Sequence, residues 1–273
     1  MAIITISREM GTGAYQIARE VSKKLKYTLV DGNKIAELAP QHGLDREILK
    51  RVDEKPPVYI TAEDRMNAAH LNTIEIILLE CAKNGNVILY GRGAQDLLTD
   101  VTSILRLRFI APFEDRVESF SEREWIDPEI AREMIRKSDH QRGGFIHFYF
   151  NRDWNDPLGY DLIFNTARAS QSAIIESIIS AARDPRLKDC EEKTREVIDE
   201  VILCKKVETA LLKSSAIETL HFKVSATGSV ACLSGHVHSE AEKVEILRIA
   251  SEVEGVEGVN DNLQVVNYKS YKG

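Results

Sequence analysis

Residues 7–15 place two glycines and several small polar side chains between an apolar run and an amphipathic run. A strand, a glycine turn and a helix N-terminus in this order present backbone N–H groups and the helix dipole to an anion. The usual phosphate loop, G-x-x-x-x-G-K-[ST], would put glycine at Arg8, lysine at Ala14 and a hydroxyl at Tyr15, so only Gly13 matches. The pattern predicts a lysine-free phosphate site in which Arg8 could supply the positive charge, although a ligand-free turn is the alternative.

A second glycine-flanked position lies further along the chain, where Arg92 stands between Gly91 and Gly93 after an apolar run. A guanidinium binds phosphate in a bidentate manner, and neighbouring glycines let the backbone approach a ligand closely. A flexible turn with a solvated arginine is the alternative. We interpret 91–93 as a phosphate clamp at the end of a strand.

Arg136, Asp139 and Arg142 are spaced by three residues, so on a helix they share one broad face. Glycines at 143–144 follow directly and would allow a hinge, which a mobile lid over phosphates requires. The sequence therefore predicts a lid helix that carries arginines. The alternative is a solvated helix surface.

The elements that must position these residues alternate between strands and helices through the first two thirds of the chain. The predicted strands are 3–6, 27–30, 86–90, 104–110 and 160–164, and helices are predicted at 14–26, at 65–83 and up to about 182. This order predicts an α/β fold, a three-layer α/β/α arrangement around a parallel sheet. Ligands of such sheets bind at the carboxyl ends of the strands. Residues 7–15, called here the glycine loop, would meet Asp31, Arg92 and Asn165 there. In the fourth strand, Arg106 and Arg108 alternate with apolar residues and are predicted to face away from the apolar core.

The composition changes near residue 185, and an α-β-β-α-β pattern follows. We predict a helix at 190–213, strands at 222–225 and 230–234, a helix at 239–253 and a last strand at 258–266. The predicted division of the chain is a first domain at 1–185, a helical linker at 186–205 and a smaller α+β domain at 206–273.

Composition bounds the class of protein. The chain has 273 residues, 43% of them hydrophobic and 29% charged, with a net charge of −7, which argues against a nucleic-acid binder. No apolar run is long enough to span a bilayer, and no signal peptide is recognised, so a cytoplasmic location is expected. Cys81, Cys190, Cys204 and Cys232 form no C-x-x-C pair, which predicts neither a disulfide framework nor a zinc site.

The first domain resembles the cytidylate kinase-like proteins, a branch of the P-loop nucleoside monophosphate kinases, over about residues 1–182. The resemblance rests on the glycine loop, Gly91-Arg-Gly-Ala94, Asp139-x-x-Arg142, Asp153-Trp154-x-Asp156-Pro157 and Tyr160-Asp-Leu-x-x-Asn-Thr166. It implies that ATP or a related donor binds with Mg²⁺ at the loop residues Ser7, Gly11, Thr12, Gly13, Ala14 and Tyr15. It further implies a (d)CMP-like acceptor near Asp31, Arg92 and Asp161, with Arg8, Arg136 and Arg142 as catalytic arginines.

The C-terminal domain resembles a BON domain over about residues 206–267. The resemblance rests on Phe222-x-Val224, on the glycines at 228 and 235, and on Gly255-Val-x-Gly-Val-x-Asp-Asn-Leu263. BON domains contact phospholipid or other proteins. In this acidic chain we expect contact with a protein partner or self-association, and no membrane binding.

These features support hypotheses from different classes. The first is an ATP-dependent nucleoside monophosphate kinase with CMP or dCMP as acceptor. The second is a non-catalytic nucleotide sensor that signals through the BON domain, motivated by the missing lysine and by Tyr15 in place of the loop hydroxyl. The third, suggested by the BON resemblance alone, is a peripheral membrane adaptor.

Overall fold

The structure, a computed structural model, describes residues 2–52, 62–187, 191–217 and 222–266; Cys190 lies outside them. The described residues form two compact units. The first consists of residues 2–38, 81–187 and 191–194, and the second of 39–52, 62–80, 195–217 and 222–266.

The first unit is built on a five-stranded parallel sheet. Its strands are β1 (Ile3–Arg8), β2 (Thr28–Val30), β3 (Val87–Tyr90), β4 (Ile104–Ile110) and β5 (Leu162–Asn165), in the spatial order β2-β3-β1-β4-β5. The order places β1 at the centre, so the loop that follows β1 opens at the middle of the sheet edge. This sheet, flanked by helices, confirms the predicted α/β fold class.

Helices occupy most of the connections between these strands. They are α1 (Ala14–Leu25), α2 (Gly32–Leu38), α3 (Arg46–Arg51), α4 (Ala62–Asn84), α5 (Ala94–Leu97), α6 (Phe113–Glu124), α7 (Pro128–Phe150) and α8 (Gln171–Ala182), with short 3-10 turns at Ala39–His42, Pro157–Gly159 and Pro185–Leu187. Among the described helices, none is both long and apolar enough to cross a membrane.

The core of the first unit explains why α1 starts where it does. Ile4 and Ile6 of β1 are buried, and α1 packs Ile17 and Val21 into the same apolar cluster. Helix α8, which contacts α1, contributes its isoleucines, such as Ile178, to the same cluster. Burying this helix face, at about 25 cal/mol per Å² of apolar area, holds the N-terminus of α1 against the end of β1.

Helix α7 continues without interruption through the glycines at 143–144, where the sequence predicts a hinge. Phe145 and Ile146, directly after the glycine pair, are buried. A Cβ at Gly143 would lie 3.7 Å from the ring of Trp154, in ordinary van der Waals contact. Packing on both sides of the pair therefore outweighs the low helix propensity of glycine.

The second unit has a three-stranded sheet. It comprises α9 (Glu191–Lys213), β6 (Phe222–Thr227), β7 (Val230–Val237), α10 (Glu240–Ser251) and β8 (Gly258–Val265). Strands β6 and β7 are antiparallel, while β8 lies parallel to β7 after the α10 connection. Leu211, Leu233, Ile246 and Leu263 are buried together in its core.

The second unit also includes residues 39–52 and residues 62–80 of α4. Side chains of α4 and α9 meet there in an ion cluster, in which the ammonium of Lys205 lies 3.0 Å from Glu75 and 3.1 Å from Glu208. Glu75 is almost completely buried. Spacing along the chain does not indicate the contact between Glu75 and Lys205, since these two residues are more than a hundred residues apart.

Candidate active site

The glycine loop joins β1 to α1 with a backbone that its residue types require. Gly11 and Gly13 have φ of +91° and +70°, in the left-handed region that glycine adopts without strain. Gly13 caps α1, which begins at Ala14, and the Thr12 hydroxyl donates to the Glu9 carbonyl at 2.9 Å. The loop therefore presents a helix N-terminus to an anion, as its spacing predicts.

Gly11 also lies against a neighbouring segment of backbone. A Cβ at this position would lie 2.8 Å from the carbonyl oxygen of Arg116, whereas at Gly13 the nearest atom would be 3.9 Å away. The guanidinium of Arg116 in turn donates to the Met10 carbonyl at 3.0 Å and to Asp139 at 2.5 Å. Asp139 also accepts the backbone N–H of Met10 at 2.9 Å, so α7 is tied directly to the loop.

We expect Gly11→Ala to destabilise the protein more than Gly13→Ala. Both substitutions place alanine in the left-handed region at a cost of about 1–2 kcal/mol. Gly11→Ala adds a clash with backbone, worth roughly 1–3 kcal/mol more. Urea unfolding of the two variants measures the difference, and equal loss of stability would contradict the close approach of Arg116.

A cavity of about 350 Å³, called here the loop cavity, opens over this turn. It is lined by all residues from Arg8 to Gln16 and by Tyr90, Phe120, Arg123, Glu124 and Arg142. The predicted nucleotide-binding residues Gly11, Thr12, Gly13, Ala14 and Tyr15 are thus brought together on one wall.

A second cavity of about 490 Å³, called here the arginine cavity, adjoins the first. Arg8, Arg92 and Arg142 line it together with Asp31. Arg92 has φ of +60° between two glycines that are also left-handed, and this backbone turns the end of β3 into the cavity wall. Three guanidinium groups around one cavity suit an anionic ligand such as phosphate.

Four side chains line both cavities: Arg8, Tyr15, Tyr90 and Arg142. The guanidinium carbon of Arg8 lies 4.5 Å from the centre of the Tyr90 ring, in a cation–π contact. Tyr90 also packs edge-on against Tyr15, with ring centres 5.5 Å apart. Arg8 and Arg142 therefore stand at the junction where a group would pass from one cavity to the other.

The hydroxyl of Tyr15 donates to Asp31 at 2.7 Å. Donating to this carboxylate, together with burial, raises the pKa of Tyr15. Burial alone would raise the pKa of Asp31, but hydrogen bonds from the backbone of Lys34, from Tyr15 and from the backbone of Asn33 outweigh it and lower that pKa. At neutral pH the phenol is therefore a donor and the carboxylate an ionised acceptor.

Ser7 was predicted to bind nucleotide, but its side chain points elsewhere. The hydroxyl is buried and accepts hydrogen bonds from Arg108 and from the indole of Trp154, each at 2.9 Å. The Arg108 guanidinium stacks on the Trp154 ring at 3.6 Å. Ser7 therefore anchors the end of β1 to a buried polar cluster, because alternation along the strand turns its side chain away from the loop.

Two further predicted residues lie away from the cavities. The carboxylate of Asp161 accepts the backbone N–H of Arg106 at 2.7 Å, next to the first residue of β5, whereas both cavities lie at the carboxyl ends of the strands. Arg136 is exposed on α7, and its guanidinium carbon lies 5.0 Å from the centre of the Phe113 ring. Neither residue lines the loop cavity or the arginine cavity.

Sequence reasoning missed several residues that support the site. No sequence pattern indicates Arg116, and Asp139 is indicated only by its spacing from the arginines and by the Asp139-x-x-Arg142 motif. Arg108 was predicted to avoid the apolar core, which the structure explains by its contacts with Ser7 and Trp154. The alternation of arginines in β4 was the available signal for Arg108.

The two carboxylates that line the loop cavity are already engaged. Glu9 accepts the backbone N–H of Ala111 at 3.2 Å and lies 3.4 Å from Arg116, while Glu124 pairs with Arg123 at 2.9 Å. Within the described part of the chain, no group of three or more His, Cys, Asp or Glu side chains could hold a metal ion. Mg²⁺ is commonly held by one or two carboxylates together with waters and phosphate oxygens of a ligand, and Asp31, Glu9 and Glu124 are the carboxylates that line the cavities.

A parallel sheet whose central strand runs into a glycine loop, with arginine-lined cavities above it, defines a protein with the P-loop kinase fold. The chain belongs to the cytidylate kinase-like family, whose family model matches residues 3–168. A BON domain model matches residues 199–267.

Individual relatives agree with this assignment. A cytidylate kinase of Methanocaldococcus jannaschii is 31% identical over 186 residues, covering 67% of this chain and 97% of that protein. A cytidylate kinase of Methanopyrus kandleri is 30% identical over 200 residues, covering 68% and 95%. The crystal structure of an uncharacterized protein from Eubacterium ventriosum superposes with a TM-score of 0.51 at 19% identity, covering 66% of this chain and 97% of that one, which supports the fold.

Proposed function

We propose that the protein transfers a phosphoryl group from ATP to a nucleoside monophosphate, with CMP or dCMP as the preferred acceptor. The observation that carries this proposal is the pair of adjoining cavities that share Arg8 and Arg142. A donor nucleotide in the loop cavity and an acceptor phosphate in the arginine cavity would meet at these two side chains. The cytidylate kinase relatives support the choice of acceptor.

The geometry supports a mechanism based on positioning and charge neutralisation. The glycine loop and the N-terminus of α1 hold the phosphates of the donor. Arg92 holds the acceptor phosphate in the arginine cavity, and Arg8 with Arg142 stabilises the charge on the group in transit. Arg8 thus acts where the usual loop has a lysine, and its planar fork contacts two oxygens where lysine would contact one. No step requires a general base from the protein.

A coupled assay that detects ADP formation tests this proposal with ATP and each of CMP, dCMP, UMP, AMP and GMP. We expect turnover with CMP or dCMP and a large loss in Arg92→Ala, because that variant removes one guanidinium from the arginine cavity. If no acceptor gives activity above that of Arg92→Ala, the enzyme proposal is wrong.

A second candidate function is a nucleotide sensor without turnover. Tyr15 supports it, because its hydroxyl donates to Asp31 and so is engaged away from the loop phosphates. This candidate predicts that calorimetry detects ATP or CMP binding while the assay detects no ADP. Absence of binding for every nucleotide would exclude it.

The BON unit is proposed to contact a protein partner or a second copy of the chain. One face of its sheet exposes polar side chains, among them Lys223 and Ser225 of β6 and Asn260 and Asn262 of β8, which flank Cys232 and Ser234 of the central strand β7. Amide and hydroxyl groups suit hydrogen bonding to another protein better than insertion into lipid. Under the sensor hypothesis this face would transmit the nucleotide signal.

A further inference from the structure

Tyr15 has a role that the usual loop pattern does not provide. It is the second residue of α1, where an ordinary phosphate loop carries a small hydroxyl next to the phosphates. The phenol ring carries the Tyr15 oxygen further, so that Oη donates to Asp31 Oδ2, 2.7 Å away at the end of β2. The hydroxyl therefore holds Asp31, a side chain that lines the arginine cavity, by a hydrogen bond.

We propose that Tyr15 is a positioning residue for the acceptor: it fixes Asp31 so that the carboxylate accepts one hydrogen bond from the neutral part of the acceptor nucleotide. This inference rests on the proposed function, because it assigns the acceptor to the arginine cavity. It names the chemistry that Asp31 recognises, an N–H or O–H donor.

The hydrogen bonds that the Asp31 carboxylate already accepts determine how many acceptor positions remain for a ligand. Oδ1 accepts the backbone N–H groups of Asn33 and Lys34, each at 3.0 Å, and Oδ2 accepts the Tyr15 hydroxyl. An ionised carboxylate has about four acceptor positions. These three contacts leave one position on Oδ2 beside the Tyr15 hydroxyl, and the backbone N–H of Asp31 itself adds a smaller interaction with the carboxylate.

The charges in the cavity decide which part of the acceptor reaches Asp31. Arg8, Arg92 and Arg142 attract the phosphate, whereas the carboxylate of Asp31 repels it. The phosphate therefore lies on the arginine side, and the nucleoside faces Asp31. The donors available on a cytidine-type nucleoside are the exocyclic amino group and the sugar hydroxyls.

The ring of Tyr15 is held independently of its hydroxyl. It packs edge-on against Tyr90 at 5.5 Å, and Tyr90 in turn packs against the apolar core and contacts the guanidinium of Arg8. Tyr15→Phe keeps this aromatic packing and removes only the hydrogen bond to Asp31. Tyr27→Phe is the matched control, because Tyr27 packs against the apolar core and lines neither cavity.

Calorimetric titration of CMP and of ADP into the wild type and both variants tests the inference. We expect Tyr15→Phe to weaken CMP binding roughly tenfold, the effect of one hydrogen bond to a charged group, and to leave ADP binding unchanged. Tyr27→Phe should bind both nucleotides as the wild type does. Weakened ADP binding with unchanged CMP binding would place the hydroxyl at the donor phosphates and overturn the inference.

Further titrations with UMP and dCMP show which group of the acceptor nucleotide, the exocyclic amino group or the 2′-hydroxyl, donates the hydrogen bond to Asp31. If Asp31 accepts a hydrogen bond from the amino group, Tyr15→Phe lowers the ratio of CMP affinity to UMP affinity. If Asp31 accepts a hydrogen bond from the 2′-hydroxyl, the variant lowers the ratio of CMP affinity to dCMP affinity. Equal affinities of the wild type and Tyr15→Phe for every acceptor overturn this inference alone, whereas a wild type that binds no nucleotide overturns the proposed function as well.

Discussion

Replacing Arg142 with alanine is expected to lower kcat/KM for phosphoryl transfer by roughly 10²–10⁴-fold, the range seen when a charge-stabilising donor or arginine is removed. Arg142 lines both the loop cavity and the arginine cavity, so its side chain borders the path of a group in transit between them. The coupled assay with saturating ATP and varied CMP measures the change. Most of the loss should appear in kcat, because the charge to be stabilised develops during transfer.

Arg136→Ala is the matched control for this prediction. Both arginines lie on α7, and both are lid arginines in the sequence-based prediction. Arg136 is exposed, contacts Phe113 and lines neither cavity, so its replacement should leave kcat/KM close to the wild-type value. Equal losses of kcat/KM in Arg142→Ala and Arg136→Ala would contradict the prediction that only the arginine that lines the cavities takes part in transfer.

Replacing Lys205 with methionine is expected to lower the free energy of unfolding by roughly 3–5 kcal/mol, because it leaves a buried carboxylate without its countercharge. Burial alone would lower the pKa of Lys205, but the charges of Glu75 and Glu208 raise it, so the ammonium is charged at neutral pH. Glu75 is 2% exposed and lies 3.0 Å from Lys205. Urea unfolding followed by far-ultraviolet circular dichroism measures the loss.

Lys206→Met controls for the removal of a charge from the same helix. The Lys206 ammonium lies 3.8 Å from Glu254, whose side chain is 95% exposed, so its loss should change stability by about 0.5 kcal/mol or less. Combining Lys205→Met with Glu75→Leu should recover most of the stability, since an apolar pair replaces the buried ions. Comparable effects of Lys205→Met and Lys206→Met would contradict a stabilising ion cluster between α4 and α9.

Local patterns predicted much of the fold. Strand β4 spans Ile104–Ile110, the range predicted from alternating apolar residues, and α1 begins at Ala14 as the glycine turn indicates. The glycines at 143–144 lie inside a continuous helix, because helix propensity is a weak local preference and the burial of Phe145 outweighs it.

The candidate site was predictable only in part, because a local pattern does not determine the direction of a side chain. Glycine spacing indicated the turn, and Arg8, Arg92 and Arg142 line the cavities as a phosphate site requires. Ser7 and Asp161 also lie in the predicted motifs, yet their side chains point into contacts with β4. A motif identifies the segment, whereas the direction of each side chain depends on the neighbouring strand.

The sequence by itself determined the order of strands and helices, the lysine-free glycine loop and the presence of two kinds of unit. Only the tertiary structure decided that Tyr15 donates to Asp31, that Arg108 lies buried against Ser7 and that Lys205 meets Glu75. Apolar periodicity and glycine spacing act over a few residues and can be read along the chain. The decisive contacts join residues far apart in sequence, and they form only when strand order and helix packing bring the two side chains to the same place.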